Sequence, residues 1–237
     1  PRLFPMHWTL ASYRVVLDPR FANLPQAYFN SITVSTANVL TILFTSSLCG
    51  FAFARLSFPG KTVVFYAILA TTMVPFLTLL IPLYILMRDL KLLDTLWSLW
   101  VPSMVSSFGI FLCRQFIYAL PAELYDAAKV DGAGDFAIYR GIVLPMIRPV
   151  LSALAIFTFL GSFGSYLWPL IMLNTESRYT LPLVLSRIAN RVSYDPAARD
   201  YGTVMATSML VAVPSLLVFI LLQRDLVKGI ALTSFKA

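Results

Sequence analysis

The stretch from residue 121 to residue 149 separates two long apolar runs and reads PAELYDAAKVDGAGDFAIYRGIVLPMIRP. Residues 122–130 are mostly Ala, Glu, Leu and Lys, which favour a helix. Residues 131–134, Asp-Gly-Ala-Gly, then tolerate a turn and a positive φ. Asp135 is predicted to cap a second helix that runs toward Ile142. This stretch, called the 121–149 loop below, is therefore predicted to form a compact helix-turn-helix projection.

The composition is that of a membrane protein. Of the 237 residues, 59% are hydrophobic and 12% are charged, whereas soluble domains carry about a quarter charged residues. The net charge of +7 is not gathered into a basic run with a stacking pattern, which argues against nucleic acid as a partner. Basic residues that flank membrane spans explain this charge better. We predict one transmembrane domain over residues 1–237.

Five stretches without charged residues are each long enough, or nearly so, to cross a bilayer core, which needs about 20 helical residues. The prediction is an all-α polytopic protein with five transmembrane helices. Pro75 and Pro82 should kink or break the second stretch. The first stretch is rich in Ser, Thr and Ala and should pack closely against other helices. The five stretches are 31–54, 62–87, 95–113, 149–175 and 201–223.

The 121–149 loop closely resembles the EAA loop of membrane permease subunits of ABC importers. In that family the loop carries the coupling helix, which sits in a cleft of the cytoplasmic ATPase subunit. Asp126 replaces the usual Glu, and Tyr139 replaces the usual Phe. The alternative interpretation is a solvated amphipathic connector with a chance match. The matching residues are Asp126-Ala127-Ala128, Asp131-Gly132-Ala133, Tyr139, Ile142, Leu144-Pro145 and Pro149.

The resemblance implies a permease subunit that transports a solute and is not itself an enzyme. Short pieces near the N-terminus, Trp8 to Tyr13 and Asn30-Ser31, also look like the carbohydrate-uptake branch of the family. The implied partners are a second homologous permease, ATPase subunits that bind ATP and Mg, an external solute-binding protein and the lipid bilayer. No cofactor or metal is expected in this chain. The implied ATPase-docking residues are Glu123, Asp126, Ala127, Ala128, Asp131, Gly132, Ala133, Leu144 and Pro145.

The orientation in the membrane does not follow from charge, because five predicted spans leave nine of the 18 basic residues on each side of the membrane. The resemblance places the chain in the plasma (inner) membrane, with the 121–149 loop and the C-terminus cytoplasmic and residue 1 outside. It also implies a sixth, N-terminal helix before the first one here.

The fourth stretch combines small residues with aromatic ones. Ser165, Tyr166 and Trp168 are candidates for the solute pathway, since sugars are often held by aromatic faces and hydrogen-bonding side chains. Trp168-Pro169 is predicted to break the helix. An interfacial aromatic girdle with a packing pair of glycines explains the same residues.

Other transport mechanisms and other functions have less support. A proton- or sodium-coupled carrier usually keeps ionisable residues inside its spans, and a channel needs repeated carbonyls or charged rings; the five stretches provide neither. A GxxxxGK loop, a metal-ligand cluster and a Ser-His-Asp set are all missing from the sequence. An importer permease for a solute other than a sugar remains the main alternative, ahead of a channel or secondary carrier.

The sequence also gives predictions for three segments outside the spans and the 121–149 loop. Residues 1–30 mix aromatic and charged side chains and are predicted to lie at the membrane interface. Residues 174–200 are either an outer loop that reaches toward the solute-binding protein or an amphipathic helix on the membrane. Residues 223–236 are predicted to form a short basic tail.

Overall fold

Helices joined by short turns make up the chain. The computed structural model describes residues 9–19, 21–194 and 201–234, and no strand occurs in these ranges. Parts of the predicted interfacial segment, of the 174–200 loop and of the tail lie outside them. The helices are α1 (Ala11–Leu17), α2 (Leu24–Arg55), α3 (Lys61–Thr71), α4 (Phe76–Asp89), α5 (Trp97–Trp100), α6 (Ser107–Tyr118), α7 (Ala122–Val130), α8 (Asp135–Ile138), α9 (Leu144–Met146), α10 (Arg148–Phe163), α11 (Leu167–Met172), α12 (Leu181–Tyr194) and α13 (Tyr201–Ser234). Short 3-10 turns cover Val101–Ser103 and Glu176–Arg178, and a π-helical turn covers Tyr139–Val143.

The longest fully described helix is α2, with 32 residues and a length of about 48 Å. It begins seven residues before the predicted span, because the Asn23 side chain accepts a hydrogen bond from the Gln26 N–H and Pro25 fits the first turn. The small residues of α2 predicted close packing against other helices, and this packing is observed with α6. Gly50 lies against Cys113, and Ser46 lies against Gly109.

The second predicted span is broken, as its prolines predicted. Helices α3 and α4 meet at an angle of 101°. Pro75 precedes α4 in an extended conformation, and its missing N–H marks the start of a new helix. Pro82, in contrast, lies inside α4 without ending it.

The prediction of one helix across 95–113 is wrong. The segment forms α5, the 3-10 turn around Pro102 and then α6, which starts only at Ser107. The Ser106 side chain accepts a hydrogen bond from the Gly109 N–H at 3.0 Å, so a new helix is capped in the middle of the apolar run. Local capping therefore outweighs the uniform hydrophobicity of this stretch.

The break in the fourth stretch lies earlier than predicted. Helix α10 ends at Phe163, Gly164 follows it, and α11 starts at Leu167. Pro169 lies in the first turn of α11, where a backbone N–H would have no acceptor within the helix, so proline is tolerated there. Trp168-Pro169 therefore belongs to a helix rather than to its interruption.

Two helices within the described ranges are long and apolar enough to cross a membrane: α2, and residues 201–221 of α13. Counting each bent pair as one span raises the number to four; the pairs are α3 with α4, and residues 135–146 with α10 at 75°. The predicted count of five is not confirmed. Residues 181–194 form α12, whose Leu181, Leu183 and Ile188 are buried within the protein.

Candidate functional site

The first arm of the 121–149 loop has the predicted bounds and ends in a defined cap. The Ala133 N–H donates to the Ala128 carbonyl at 2.9 Å, and the Gly132 N–H donates to the Lys129 carbonyl at 3.0 Å. These two bonds form a Schellman motif, in which Gly132 takes the left-handed position with φ of 83°. The predicted turn is confirmed, and glycine adopts its positive φ without a steric cost.

Asp135 does not cap the second helix as predicted, because Gly134 precedes α8 without a side-chain bond. The Asp135 carboxylate instead reaches back across the turn. It lies 2.7 Å from Lys129 Nζ and accepts a hydrogen bond from the Tyr125 hydroxyl at 2.6 Å. The hydrogen bond to Asp135 raises the pKa of Lys129. These contacts fix the two arms of the loop to each other.

The second arm connects the loop to α2. Tyr139, in the π-helical turn, is buried, and its hydroxyl lies 2.8 Å from the Ser47 hydroxyl of α2. Its ring centroid is 5.5 Å from that of Phe51, and the Phe51 ring also faces Tyr125 of the first arm at 6.4 Å. Both arms therefore pack on the C-terminal half of α2, so the loop is placed to move together with that helix.

Most of the predicted docking residues are on the surface. Three of them, Ala128, Ala133 and Leu144, are half-buried and pack on the core of the chain itself. Sequence reasoning missed Val130 and Phe136, which are 88% and 65% exposed and give the surface an apolar part. The exposed members of the predicted set are Glu123, Asp126, Ala127, Asp131, Gly132 and Pro145.

A cavity of about 810 Å³ lies along the other half of α2. Ser31, Val34, Asn38 and Ile42 line it at helical spacing and so form one face of that helix. The remaining walls come mainly from α4, α5, α6, α10 and α11. The cavity and the 121–149 loop thus contact mainly different halves of the same helix, and Ile42, which lines the cavity, also belongs to the buried cluster around Tyr139.

All three predicted pathway residues line this cavity. Trp168 is buried, and its Nε1–H donates to the Ser98 carbonyl at 2.9 Å. Tyr166 is 38% exposed, and its hydroxyl accepts a hydrogen bond from Ser186 at 3.1 Å. Trp168 is therefore held in place, whereas the Tyr166 ring is open to a bound molecule.

Asn38 was missed by the sequence reasoning and is the most polar buried group of the cavity. Its Nδ2 donates to the Ser162 hydroxyl at 2.8 Å, while Oδ1 has no protein partner. Thr180 contributes a second buried, unpartnered oxygen to the lining. Leaving such groups unpaired costs free energy, and because neither oxygen is accessible to solvent, a bound molecule reaches them only if the side chains move. The sequence signal that could have identified Asn38 is a polar amide side chain within an uncharged span.

No group of three or more His, Cys, Asp or Glu side chains that could hold a metal ion occurs in the part of the chain that the structure describes. The described parts of the site are the exposed surface of the 121–149 loop and the cavity with its few polar side chains.

Comparison with known proteins agrees with this geometry. The family described as binding-protein-dependent transport system inner membrane component matches residues 42–230. The lactose transport system permease protein LacG of Rhizobium radiobacter is 38% identical over 87% of this chain and 74% of its own length. The sn-glycerol-3-phosphate transport system permease protein UgpE of Agrobacterium fabrum is 35% identical over 89% of this chain and 74% of its own length.

A crystal structure of a bacterial ABC transporter involved in the import of the acidic polysaccharide alginate contains a similar chain. The TM-score is 0.77 at 23% identity, over 90% of this chain and 78% of that one, and it supports the fold. The resemblance to ABC importer permeases drawn from the 121–149 loop is confirmed. This chain belongs to the family of inner membrane components of binding-protein-dependent transport systems.

Proposed function

We propose that this chain is the permease subunit of an ATP-driven importer for a sugar or sugar-like solute, and that its 121–149 loop receives the force from a cytoplasmic ATPase. One observation carries the proposal: the loop and the cavity are both built on α2, and Ile42 joins the buried cluster of the loop to the lining of the cavity. Movement of the loop would therefore shift the wall of the cavity, as expected for switching between two packed states. The solute class rests on the relatives, whose names include lactose and sn-glycerol-3-phosphate transport.

The exposed part of the loop has the chemistry of a docking surface. Val130 and Phe136 offer apolar contact, and Glu123, Asp126 and Asp131 offer carboxylates to basic groups of a partner. We place this surface in the cytoplasm. We place residue 1 and the turn between α4 and α5 on the outer side. A second permease, an external solute-binding protein, and ATP with Mg in the ATPase subunits complete the proposed assembly. Five spans, one of them built from the broken segment 95–118, would give this sidedness.

Cross-linking tests the docking surface. Val130→Cys and Phe136→Cys, labelled with a benzophenone maleimide and irradiated in the purified assembly, are expected to form an adduct with the ATPase subunit. Both positions are exposed, whereas the native Cys113 is buried and Cys49 is half-buried, so background labelling is low. Mass spectrometry identifies the adduct by peptides from a protein with a GxxxxGK loop.

Phe44→Cys is the matched control, because Phe44 is 60% exposed but belongs to α2 and not to the loop. An ATPase adduct from Phe44→Cys alone, or from none of the three positions in an assembly that still hydrolyses ATP, would contradict the proposed docking surface.

We further propose that the solute passes the cavity beside Ser165, Tyr166 and Trp168. The exposed Tyr166 ring offers the aromatic face that a sugar uses, and the Asn38 amide is a polar group of the same lining. Ser165 lines the same wall, and Trp168 keeps this wall in place through Ser98.

Tyr166→Ala is expected to raise the solute concentration for half-maximal uptake by up to about tenfold, since an aromatic contact contributes roughly 0.5–1.5 kcal/mol. Uptake of radiolabelled lactose and sn-glycerol-3-phosphate into proteoliposomes that contain the full assembly and its binding protein measures it. Tyr201→Ala, an exposed tyrosine away from the cavity, serves as the control. Equal half-saturation in both variants would remove Tyr166 from the pathway.

A further inference from the structure

One segment outside the α-helices contributes a residue, Thr180, to the cavity wall. Residues 173–180, called the strap, join α11 to α12 and contain the 3-10 turn Glu176–Arg178. Leu173 and Tyr179 of the strap are buried, and Thr180 lines the cavity with its hydroxyl oxygen unpartnered. An irregular segment in this position must have its backbone polar groups satisfied by other parts of the protein.

A single carboxylate, that of Asp94, binds several polar groups of the strap. Asp94 Oδ1 accepts hydrogen bonds from the N–H groups of Asn174 and Thr175 at 2.9 and 3.0 Å. Asp94 Oδ2 accepts the Thr175 hydroxyl at 2.6 Å and pairs with Arg178 at 3.0 Å. The two oxygens therefore have separate tasks: Oδ1 holds the backbone, and Oδ2 holds two side chains.

The backbone of Asp94 adds a further contact. Its N–H donates at 2.8 Å to the carbonyl of Met172, the last residue of α11. Four residues later, the Ser98 carbonyl accepts the Trp168 indole N–H. The residues from Asp94 to Ser98 thus hold both α11 and the strap beside the cavity.

The conformation of Asp94 is specialised as well. Its φ of 54° lies in the left-handed region, which Asp and Asn tolerate better than most other residues. Burial acts to raise the pKa of Asp94, but the hydrogen bonds from Thr175 and Asn174 and the charge of Arg178 outweigh it and hold the pKa below its usual range. The carboxylate is therefore ionised at neutral pH.

The other side of the strap is held by α2. Asn30 Nδ2 donates to the carbonyls of Ser177 and Tyr179 at 2.9 and 3.0 Å, and the Ser31 hydroxyl accepts the Leu181 N–H at 2.8 Å. These contacts hold the C-terminal end of the strap. Near its N-terminal end, the strap is held by Asp94, which accepts hydrogen bonds from the N–H groups of Asn174 and Thr175.

We propose that Asp94 is a positioning residue that, through Oδ1, holds the strap and so keeps Thr180 in the wall of the cavity. The inference rests on the proposed function in one respect: that function identifies the molecule beside the wall as a transported solute. The contacts themselves need no solute and no ATPase.

The test measures access to Thr180, which is 5% exposed. Thr180→Cys in the assembly in lipid nanodiscs is treated with a PEG-maleimide, and its labelling rate is corrected for the native cysteines. Asp94→Gly keeps the left-handed turn but removes the carboxylate, and it is expected to speed labelling at least tenfold. Asp94→Asn retains an oxygen in the place of Oδ1 and is expected to keep labelling within about threefold, because the backbone bonds survive.

Lys91→Gly is the matched control, since Lys91 also has a positive φ, of 58°, and is exposed. It is expected to leave the rate unchanged. If Asp94 served only the turn, Asp94→Gly would label as slowly as the parent, and this result would overturn the proposal. Labelling of Asp94→Asn as fast as that of Asp94→Gly would also overturn the proposal.

If Asp94→Gly does not fold, Thr175→Val with Arg178→Gln removes only the Oδ2 contacts and is expected to behave like Asp94→Asn. Failure of the proposed function would appear in the Val130 cross-linking and leave these rates unaffected.

Discussion

Gly50→Val is expected to prevent the α2–α6 packing and to remove most of the folded protein. A Cβ at Gly50 would lie 2.7 Å from Cys113 Cβ and 2.9 Å from the Arg114 backbone nitrogen, so the helices themselves would have to separate. Overpacking of this kind costs about 3 kcal/mol, a large part of the net stability of a domain. Size-exclusion chromatography and thermal unfolding in detergent measure the loss.

The matched comparison uses the same smaller change at two glycines. Gly50→Ala is expected to lower the melting temperature. Gly161→Ala, in the last turn of α10 with no neighbouring atom within 4 Å of the added Cβ, is expected to leave it unchanged or raise it. Equal melting temperatures for the two alanine variants would contradict close packing at Gly50.

Gly132→Val is expected to reduce solute uptake at least tenfold while membrane insertion remains normal. Gly132 has a φ of 83°, which costs an L-residue about 1–2 kcal/mol and a β-branched one more. The space around its Cβ is open, so the effect comes from the backbone of the Schellman motif rather than from a clash. Uptake and ATP hydrolysis by the assembly in proteoliposomes are measured side by side, and hydrolysis is expected to lose its dependence on the binding protein.

Gly60→Val separates loss of coupling from general strain. Gly60 has a φ of 75° and equally open surroundings, but it lies in the turn before α3. It bears the same backbone penalty and is expected to keep most of the uptake. Gly132→Asn, which tolerates the left-handed region, is expected to restore function in part. Normal uptake by Gly132→Val would argue that the shape of the loop does not transmit force.

The sequence alone determined features that depend on neighbouring residues. The bounds of α7, the turn at Gly132 and the break at Pro75 follow from helix propensity, from the tolerance of glycine for positive φ and from the missing N–H of proline. The helical class and the membrane environment follow from composition in the same way. The 121–149 loop was recognisable because its chemistry is contained in one short stretch.

Tertiary structure alone decided the features whose partners are distant in the chain. Asp135 pairs with Lys129 and Tyr125 instead of capping its own helix. Asp94 meets the strap about 80 residues away, and the Asn38 amide meets Ser162 across the bundle. Propensity and periodicity report only contacts within a few residues, whereas these hydrogen bonds depend on how the helices pack. The cavity and its wall are a consequence of that packing.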